Sequence, residues 1–212
     1  GYNADLGYRG KWKNILLFDL SVFYLQYNNR VGTITPTGAN YRLITNVGAS
    51  ISKGLESFAE FNITKAIDQK AKTDLLIFGS YAFTDARYSG YFEIKTLQGK
   101  RVENAPRHIL RSGITVRYLD FDLTMQFSHS SSSFSDANNT GVSANAQNGL
   151  IPAYNIADLS AMYKFSKGLN IKTGINNLFN HTYFTRRAGG YPGPGALPAD
   201  GRTAYISVGA KF

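Results

Sequence analysis

The sequence of 212 residues predicts an all-β fold, an antiparallel up-and-down sheet, and three observations lead to that prediction. Apolar and polar residues alternate with a period of two along most of the chain. Helical periodicity is almost absent. The connections between the alternating stretches are short and long in turn. That asymmetry is typical of a sheet whose two ends face different compartments.

Nine stretches follow the strand pattern. In FDLTMQFSHS, every second residue from Phe121 to Phe127 is apolar and the residues between them are polar. RTAYISVGAKF repeats the pattern, with Ile206 and Val208 on its apolar face. The third strand carries a candidate glycine break at Gly48 or Gly54. The predicted strands lie near residues 2 to 10, 15 to 30, 41 to 65, 75 to 88, 108 to 118, 121 to 134, 153 to 165, 169 to 177 and 202 to 212.

The connections and the strand lengths together indicate a membrane barrel. KWKN, LD and SKG are tight turns and AIDQKAKTD is moderate, whereas residues 89 to 107, 135 to 152 and 178 to 201 form long loops. Several strands exceed the roughly ten residues that cross a bilayer at a tilt. Because every backbone polar group in lipid must be paired, such strands belong to a closed barrel with its apolar face outward. A soluble sandwich is the structural alternative, although its strands usually hold about five or six residues.

Composition narrows the function only partly. The chain has no cysteine, which excludes disulfides and thiolate metal sites. A net charge of +9 is compatible with nucleic acid, anionic lipid or a small anion, so the position of the charge must decide. No apolar run is long enough for a membrane helix, and GYNADLGYRG has no signal-peptide pattern, so we expect the chain to be the back part of a longer protein.

No catalytic or metal-binding motif stands out. The sequence contains no nucleophile elbow, P-loop or zinc signature, and we expect the protein not to be an enzyme. His108, His129 and His181 lack metal-ligand spacing, so we expect hydrogen-bonding roles at the rim or in the interior, and no metal site.

The stretches GYRGKWKN, FDLSVFYLQYNNRVG, FAEFNIT, GSYAFTDARY, NAPRH and INNLFNHTYF, with a terminal strand ending in Phe212, occur in a familiar order. In that order they resemble the C-terminal barrel half of TonB-dependent outer-membrane receptors, over essentially the whole chain. The resemblance implies that residues 1–212 are the C-terminal portion of that barrel domain, about the last nine of 22 strands. The plug domain, the TonB-contacting segment and the first strands are then absent, and the nine strands alone are expected not to close.

The resemblance also implies roles for two motifs. Phe212 would be part of the signal that the barrel-assembly machinery reads. NNLFN, at Asn176 to Asn180, is interpreted as a strand-end and turn signature that shapes the barrel rim, not as a ligand site.

The function implied by the resemblance is TonB-dependent import across the outer membrane of a Gram-negative bacterium. The last long loop, with TRRAGGYPGPG and PADGR, is similar to that of the ferric-citrate type of receptor. The expected ligand is a ferric chelate, ferric citrate or another anionic siderophore. No cofactor is expected, because iron arrives as a bound chelate.

The expected partners are the TonB complex, outer-membrane lipid, lipopolysaccharide and the assembly machinery, and not nucleic acid. The alternatives are a TonB-dependent importer of a carbohydrate or peptide, and a passive porin-like barrel.

The two cationic residue types are segregated along the chain. Eight of the twelve lysines lie in or beside the short turns. Nine of the eleven arginines lie in the long loops or the strand ends next to them: Arg30, Arg42, Arg87, Arg101, Arg107, Arg111, Arg186, Arg187 and Arg202.

Arginine binds carboxylates and phosphates bidentately, so an arginine-rich mouth favours an anionic ligand. We predict a ligand-binding set at this mouth. For any single arginine, pairing with lipopolysaccharide phosphate or a loop acid is the alternative. The predicted residues are Arg186, Arg187, Arg202, Arg107 and Tyr191.

Overall fold

The structure is a computed structural model that describes residues 1–34, 36, 38–41, 43–89, 95–142, 146–165, 168–191 and 193–210. In chain order its elements are β1 (Tyr2–Trp12), β2 (Leu16–Ile34), β3 (Leu43–Asn62), α1 (Ile63–Ile67), β4 (Thr73–Tyr88), β5 (His108–Tyr118), β6 (Phe121–Ser130), β7 (Ser133–Phe134), β8 (Leu150–Ile151), β9 (Tyr154–Lys164), β10 (Leu169–Asn176), β11 (Phe184–Ala188), β12 (Gly195–Pro198) and β13 (Thr203–Ala210).

One antiparallel sheet of nine strands dominates the structure, in the order β1-β2-β3-β4-β5-β6-β9-β10-β13. Its strands are neighbours in the order in which they occur along the chain, as an up-and-down topology requires. The remaining strands form two short hairpins, β7 with β8 and β11 with β12, each inside a long connection. The nine predicted strands are confirmed, and no soluble sandwich of two packed sheets is present in the described residues.

Two predicted strands end earlier than the pattern indicated. The third was expected to reach residue 65, but β3 ends at Asn62. The Oδ1 atom of Asn62 accepts a hydrogen bond from the backbone N–H of Lys65 at 3.0 Å, and this cap starts α1. The sixth was expected to reach residue 134, but β6 ends at Ser130 and the chain turns into β7.

The glycine break lies at Gly48 and not at Gly54. The pairing of β2 with β3 shifts register on both sides of Arg30, which opposes Gly48. Gly48 has a φ of +96°, a conformation that favours glycine, and Asn29 also has a positive φ of 53°. The result is a bulge near the outer end of this strand pair. Gly54 lies in continuous register.

The alternation of connections is confirmed. We call the end of the sheet with the turns at residues 13–15, 63–72, 119–120 and 165–168 the inner end. The opposite end, with the connections at residues 35–42, 89–107, 131–153 and 177–202, is the outer end.

The two faces of the sheet differ in chemistry. Leu6 is 76% exposed and Ile206 74% exposed, and the apolar residues of β6 are likewise more exposed than their polar neighbours. On the other face polar side chains contact one another across the strands, as where the hydroxyl oxygens of Thr115 and Thr124 lie 2.9 Å apart. An apolar face turned outward and a polar face turned inward is the arrangement of a membrane barrel.

Aromatic side chains mark the inner end. They are exposed and lie at or beside the ends of the strands, as in the aromatic girdle of transmembrane barrels. The residues are Trp12, Tyr118, Phe121, Tyr163 and Phe165.

An ion-pair network crosses the polar face at the inner end. Arg117 on β5 lies between Asp74 of β4, at 3.8 Å, and Asp122 of β6, at 3.1 Å. Lys65 extends the network to Asp74 at 3.7 Å and Lys164 to Asp122 at 3.8 Å. Alternating charges therefore hold this edge of the polar face together without an apolar core.

The sheet has two free edges. In the part of the chain that the structure describes, β1 pairs only with β2, and β13 pairs only with β10. Within the same residues, no helix has the length and apolar character needed to span a membrane.

Candidate ligand-binding mouth at the outer loops

Two of the long connections are packed together over the outer end of β4. Ala86 and Tyr88 of β4 form a buried apolar cluster with Leu97, Val102 and Ala137, three residues that the two loops contribute. Ile34 and Ala105 pack against this cluster, which fixes both loops on the outer end of β4.

Polar contacts fix the same two loops. The Oδ1 atom of Asn139 accepts a hydrogen bond from the backbone N–H of Arg101 at 2.7 Å, and its Nδ2 atom donates to the Arg101 carbonyl at 2.7 Å. Lys100 donates through Nζ to the carbonyl of Asn138 at 2.8 Å. The mouth is therefore built from loops that hold one another.

The NNLFN motif ties the last loop to the rim. Asn177 and Asn180 both have left-handed φ values, of 50° and 54°. The Oδ1 atom of Asn177 accepts from the backbone N–H of His181 at 2.8 Å, and its Nδ2 donates to the carbonyl of Asp200 at 3.3 Å. The Oδ1 of Asn180 accepts from the backbone N–H of Arg202 at 2.9 Å. The two ends of the loop are thus joined, and the predicted turn role of NNLFN is confirmed.

Arg187 lies inside the loop structure. Its guanidinium donates to the carbonyl of Ala146 at 3.0 Å and to the carbonyl of Leu150 at 3.0 and 3.4 Å, and it stacks over the ring of Phe184 at 5.0 Å. Gly149 lies beside this contact with a φ of +143°, and a Cβ added there would lie 3.0 Å from the carbonyl oxygen of Gly141. Arg187 therefore joins the last loop to the preceding one.

Arg186, Arg202 and Tyr191 present their side chains to the solvent. Tyr191 is fully exposed. Arg186 is exposed on β11, and Arg202 is exposed just before β13. Among the described residues, neither guanidinium pairs with an acid, so both are available to an anion.

Arg107 is placed apart from these residues. Its Nη2 atom lies 2.7 Å from the Oδ1 atom of Asp85, which also accepts from Nε of Arg87 at 3.0 Å. Asp85 shares its side of β4 with Tyr81 and Phe83, the outward side, because strand residues of the same parity share a face. Arg107 thus lies on the outer wall, and its role in ligand binding stays a prediction.

Sequence reasoning missed a hydroxyl-lined cleft of about 170 Å³ where three long loops meet. The serine run SHSSSS at residues 128–133 was a signal for it. Tyr154 in the cleft wall packs against Tyr183, with ring centroids 4.7 Å apart. Burial raises the pKa of the Tyr183 hydroxyl, and Tyr154, Asp158 and Asp200 raise it further. The residues that line the cleft are Asn104, Pro106, Ser130, Ser131, Ser133, Ile151, Tyr154 and Thr185.

A larger cavity of about 650 Å³ follows the sheet below the mouth. Its charged lining residues are Arg9, Asp19, Glu56 and Arg111, and Arg9 binds Asp19 through Nε at 2.7 Å. The sheet is therefore lined with both signs of charge between the mouth and the inner end.

The histidines hold neighbouring side chains. His108 lies 2.8 Å from the hydroxyl of Tyr81, and His129 lies 2.7 Å from Oδ1 of Asn155, both through Nδ1. His181 stacks on Tyr183. In the described part of the chain, no three His, Cys, Asp or Glu residues are grouped so as to hold a metal ion. Arg42, Lys167, Lys211 and Phe212 lie outside the described residues.

The sequence matches a known family over most of its length. The family model described as TonB dependent receptor-like, beta-barrel, matches residues 1–178. The chain belongs to this family. It is accordingly part of a transmembrane β-barrel of the Gram-negative outer membrane, and the outer end with its long loops faces the exterior. The count of 22 strands for the whole barrel stays a prediction.

Individual members of the TonB-dependent receptor family resemble the chain. The metal-pseudopaline receptor CntO of Pseudomonas aeruginosa is 26% identical over 196 residues, which are 91% of this chain and 25% of that protein. The unliganded ferric citrate transporter FecA superposes with a TM-score of 0.81 at 24% identity, over 99% of this chain and 31% of that one. The copper transporter OprC superposes with a TM-score of 0.73 at 15% identity, over 99% of this chain and 32% of that one. The chain spans about a quarter of the length of the curated relative.

Proposed function

We propose that this chain forms the C-terminal part of a receptor that imports an anionic ferric chelate, ferric citrate or another anionic siderophore, in a TonB-dependent way. The chelate carries its own iron, so the protein needs no resident cofactor. The outer loops bind the chelate, and TonB acts through a part of the receptor outside these 212 residues. The proposed role is transport without catalysis.

The observation that carries the proposal is the pair of exposed arginines at the base of the last loop. Arg186 and Arg202 offer guanidinium donors to the exterior, and neither meets an acidic side chain among the described residues. A guanidinium fork matches the geometry of a carboxylate. An exposed positive mouth also raises the local concentration of anions and their association rate.

The names of the relatives support the broad class more than the individual ligand. FecA is a transporter of ferric citrate, CntO a receptor for metal-pseudopaline and OprC a transporter of copper. Among metal chelates, the exposed guanidinium groups of Arg186 and Arg202 favour a chelate with exposed carboxylates.

The test replaces Arg186 and Arg202 by alanine in the receptor gene that encodes this chain. Uptake of radioactive ferric citrate is measured in iron-starved cells that lack their own citrate receptor. The substitutions remove two charge-assisted hydrogen bonds, each contributing about 1.5–3 kcal/mol. Binding of ferric citrate should therefore weaken by about a hundredfold or more, and its uptake should fall with it. Lys70→Ala together with Lys72→Ala, which changes two inner-end lysines, is the matched control and should leave uptake unchanged.

The same cells test the energy requirement. Dissipating the proton gradient or deleting TonB should abolish uptake, whereas a passive porin-like barrel would continue to admit the ligand. Unchanged uptake in the Arg186→Ala, Arg202→Ala variant would reject the anionic-chelate proposal for this mouth.

An importer of a carbohydrate or peptide is the second candidate, favoured by the hydroxyl-lined cleft and the fully exposed Tyr191. Aromatic rings and hydroxyl groups suit neutral polar ligands. In that case Tyr191→Ala, and not the arginine pair, should reduce uptake of the neutral ligand. Ferric citrate should then fail to compete with that ligand.

A further inference from the structure

The outward face of β4 changes character in a regular order from the inner to the outer end. Leu75 and Ile77 come first, then Tyr81 and Phe83, and finally Asp85. All five share one side of the strand, because their positions differ by even numbers and β4 pairs without a register shift over this length. His108 of β5 continues the aromatic level, with its ring centroid 5.4 Å from that of Phe83. An apolar, then aromatic, then charged succession is what a surface meets on leaving a bilayer.

The height of the charged level agrees with this succession. Asp85 lies ten residues beyond Leu75, about 33 Å along a strand that rises about 3.3 Å per residue. At a tilt of about 40°, that length corresponds to about 25 Å of height, the thickness of the apolar band of such barrels. Asp85 is therefore at the level of the lipid headgroups in the outer leaflet.

Three arginines surround this single carboxylate, and we call them with Asp85 the Asp85 arginine cluster. Arg87 donates through Nε to both carboxylate oxygens, at 3.0 and 3.1 Å, and Arg107 donates through Nη2 at 2.7 Å. Arg101 lies opposite Arg87 in an isolated antiparallel bridge. Partial burial lowers the pKa of Arg101, Arg107 and Arg87 lower it further, and Asp85 raises it. Three guanidinium charges against one carboxylate leave an excess of two positive charges.

Loop carbonyls take up part of the donor capacity of the cluster. Arg87 donates through Nη1 to the carbonyl of Gly99 at 2.9 Å, and Arg101 donates through Nη2 to the carbonyls of Ala105 and Ser132 at 3.5 and 3.3 Å. The side chain of Arg107 is 36% exposed, although its Nε atom is buried. Lys53 of β3 lies directly opposite Asp85 in the sheet, and its side chain is exposed. The side chain of Arg87 is 44% exposed, whereas that of Asp85 is only 17% exposed. Seen from the membrane, the surface is thus cationic, and the acid lies beneath it.

We propose that the Asp85 arginine cluster binds the phosphate groups of lipopolysaccharide in the outer leaflet. The excess charge favours an anion, and arginine recognises phosphate bidentately. The position immediately above the aromatic level identifies a lipid headgroup as its source, since the acyl chains of the same molecule would contact Phe83 and Ile77. This surface is separate from the mouth where the transported ligand is proposed to bind.

The experiment measures lipid binding to the purified receptor that contains this chain, in detergent and freed of native lipid. Native mass spectrometry records the binding of lipid A with both phosphates, of dephosphorylated lipid A and of inorganic phosphate. The intact protein should retain phosphorylated lipid A and not the dephosphorylated form. Arg87→Ala with Arg107→Ala should weaken that binding by about tenfold or more. Arg87→Lys with Arg107→Lys should keep part of it.

Two further variants distinguish lipid binding at the cluster from ligand binding at the mouth and from a loss of folding. Arg186→Ala with Arg202→Ala should leave lipid A binding unchanged even where it abolishes uptake, so the two proposals can fail independently. Arg101→Gln leaves both ion pairs of Asp85 in place and should weaken lipid binding by a smaller factor, even if the double alanine variant does not fold. Equal binding of both lipid A forms, undiminished binding in the variants, or inorganic phosphate displacing lipid A at equal concentration would overturn the proposal.

Discussion

Two adjacent arginines in the last loop do different work because their side chains leave β11 on opposite sides. Arg186 faces the solvent, whereas Arg187 gives its donors to the carbonyls of Ala146 and Leu150 and packs on Phe184. A guanidinium N–H that already donates to a carbonyl is not available to a ligand. Arg187 therefore holds two loops together, and Arg186 is the residue of the pair that can meet a ligand without breaking an internal bond.

We expect Arg187→Ala to free the loop at residues 131–153 from the last loop. The contacts that the substitution removes are the three hydrogen bonds and the ring contact, and lysine cannot replace them because it lacks the planar fork. The rate of limited proteolysis within this loop should rise in Arg187→Ala and in Arg187→Lys. Arg186→Ala is the matched control and should leave the rate unchanged; a rise of the same size there would contradict the distinction.

At the scale of the single element, β6 shows how strand parity assigns each residue to lipid or to the interior. Met125 is 46% exposed on the apolar face, while its neighbour Gln126 lies on the polar face opposite Asp158. The two residues are equally close to the middle of the strand. Their environments differ only because successive side chains point to opposite faces.

This contrast predicts opposite results for one substitution at two adjacent positions. Met125→Arg places a charge near the bilayer midplane and should cost about 2–4 kcal/mol of folding free energy. Gln126→Arg should cost much less, because it enters the polar face near Asp158. Urea unfolding of the intact receptor in lipid vesicles measures both values. Equal losses at the two positions would show that the apolar face of β6 does not meet lipid.

At the scale of the whole molecule, the sheet is defined by its two free edges. β1 and β13 both leave one row of backbone donors and acceptors unpaired within the described residues. Such rows cannot lie in lipid, because each unpaired group there costs several kcal/mol. The nine strands therefore need further strands to close the barrel.

We predict that residues 1–212 expressed alone will not form a stable monomeric barrel. After refolding in detergent, the chain should aggregate and should not migrate as a compact, heat-modifiable species on a gel. The intact receptor, treated in the same way, is the control. A heat-modifiable monomer of the nine-strand chain would contradict this expectation.

The strands and their two faces were predictable because both follow from local alternation. The residues of β6 and β13 indicate their faces without any knowledge of their neighbours. The inner-end turns were also predictable, apart from the cap at Asn62 that starts α1. The pairings among the long loops were not predictable: Asn139 binds Arg101 across 38 positions of sequence, and Arg187 reaches Leu150 across 37. No local pattern encodes such contacts.

The sequence by itself determined the antiparallel strands, the outward apolar face and the resemblance to TonB-dependent receptors, because these depend on periodicity and on motif order. Only the tertiary structure decided which arginines are free. Arg186 and Arg202 remain exposed, Arg187 joins two loops, and Arg107 lies on the outer wall with Asp85. The physical reason is that the availability of a guanidinium depends on the carbonyls and carboxylates around it, and the packing of distant loops supplies those groups.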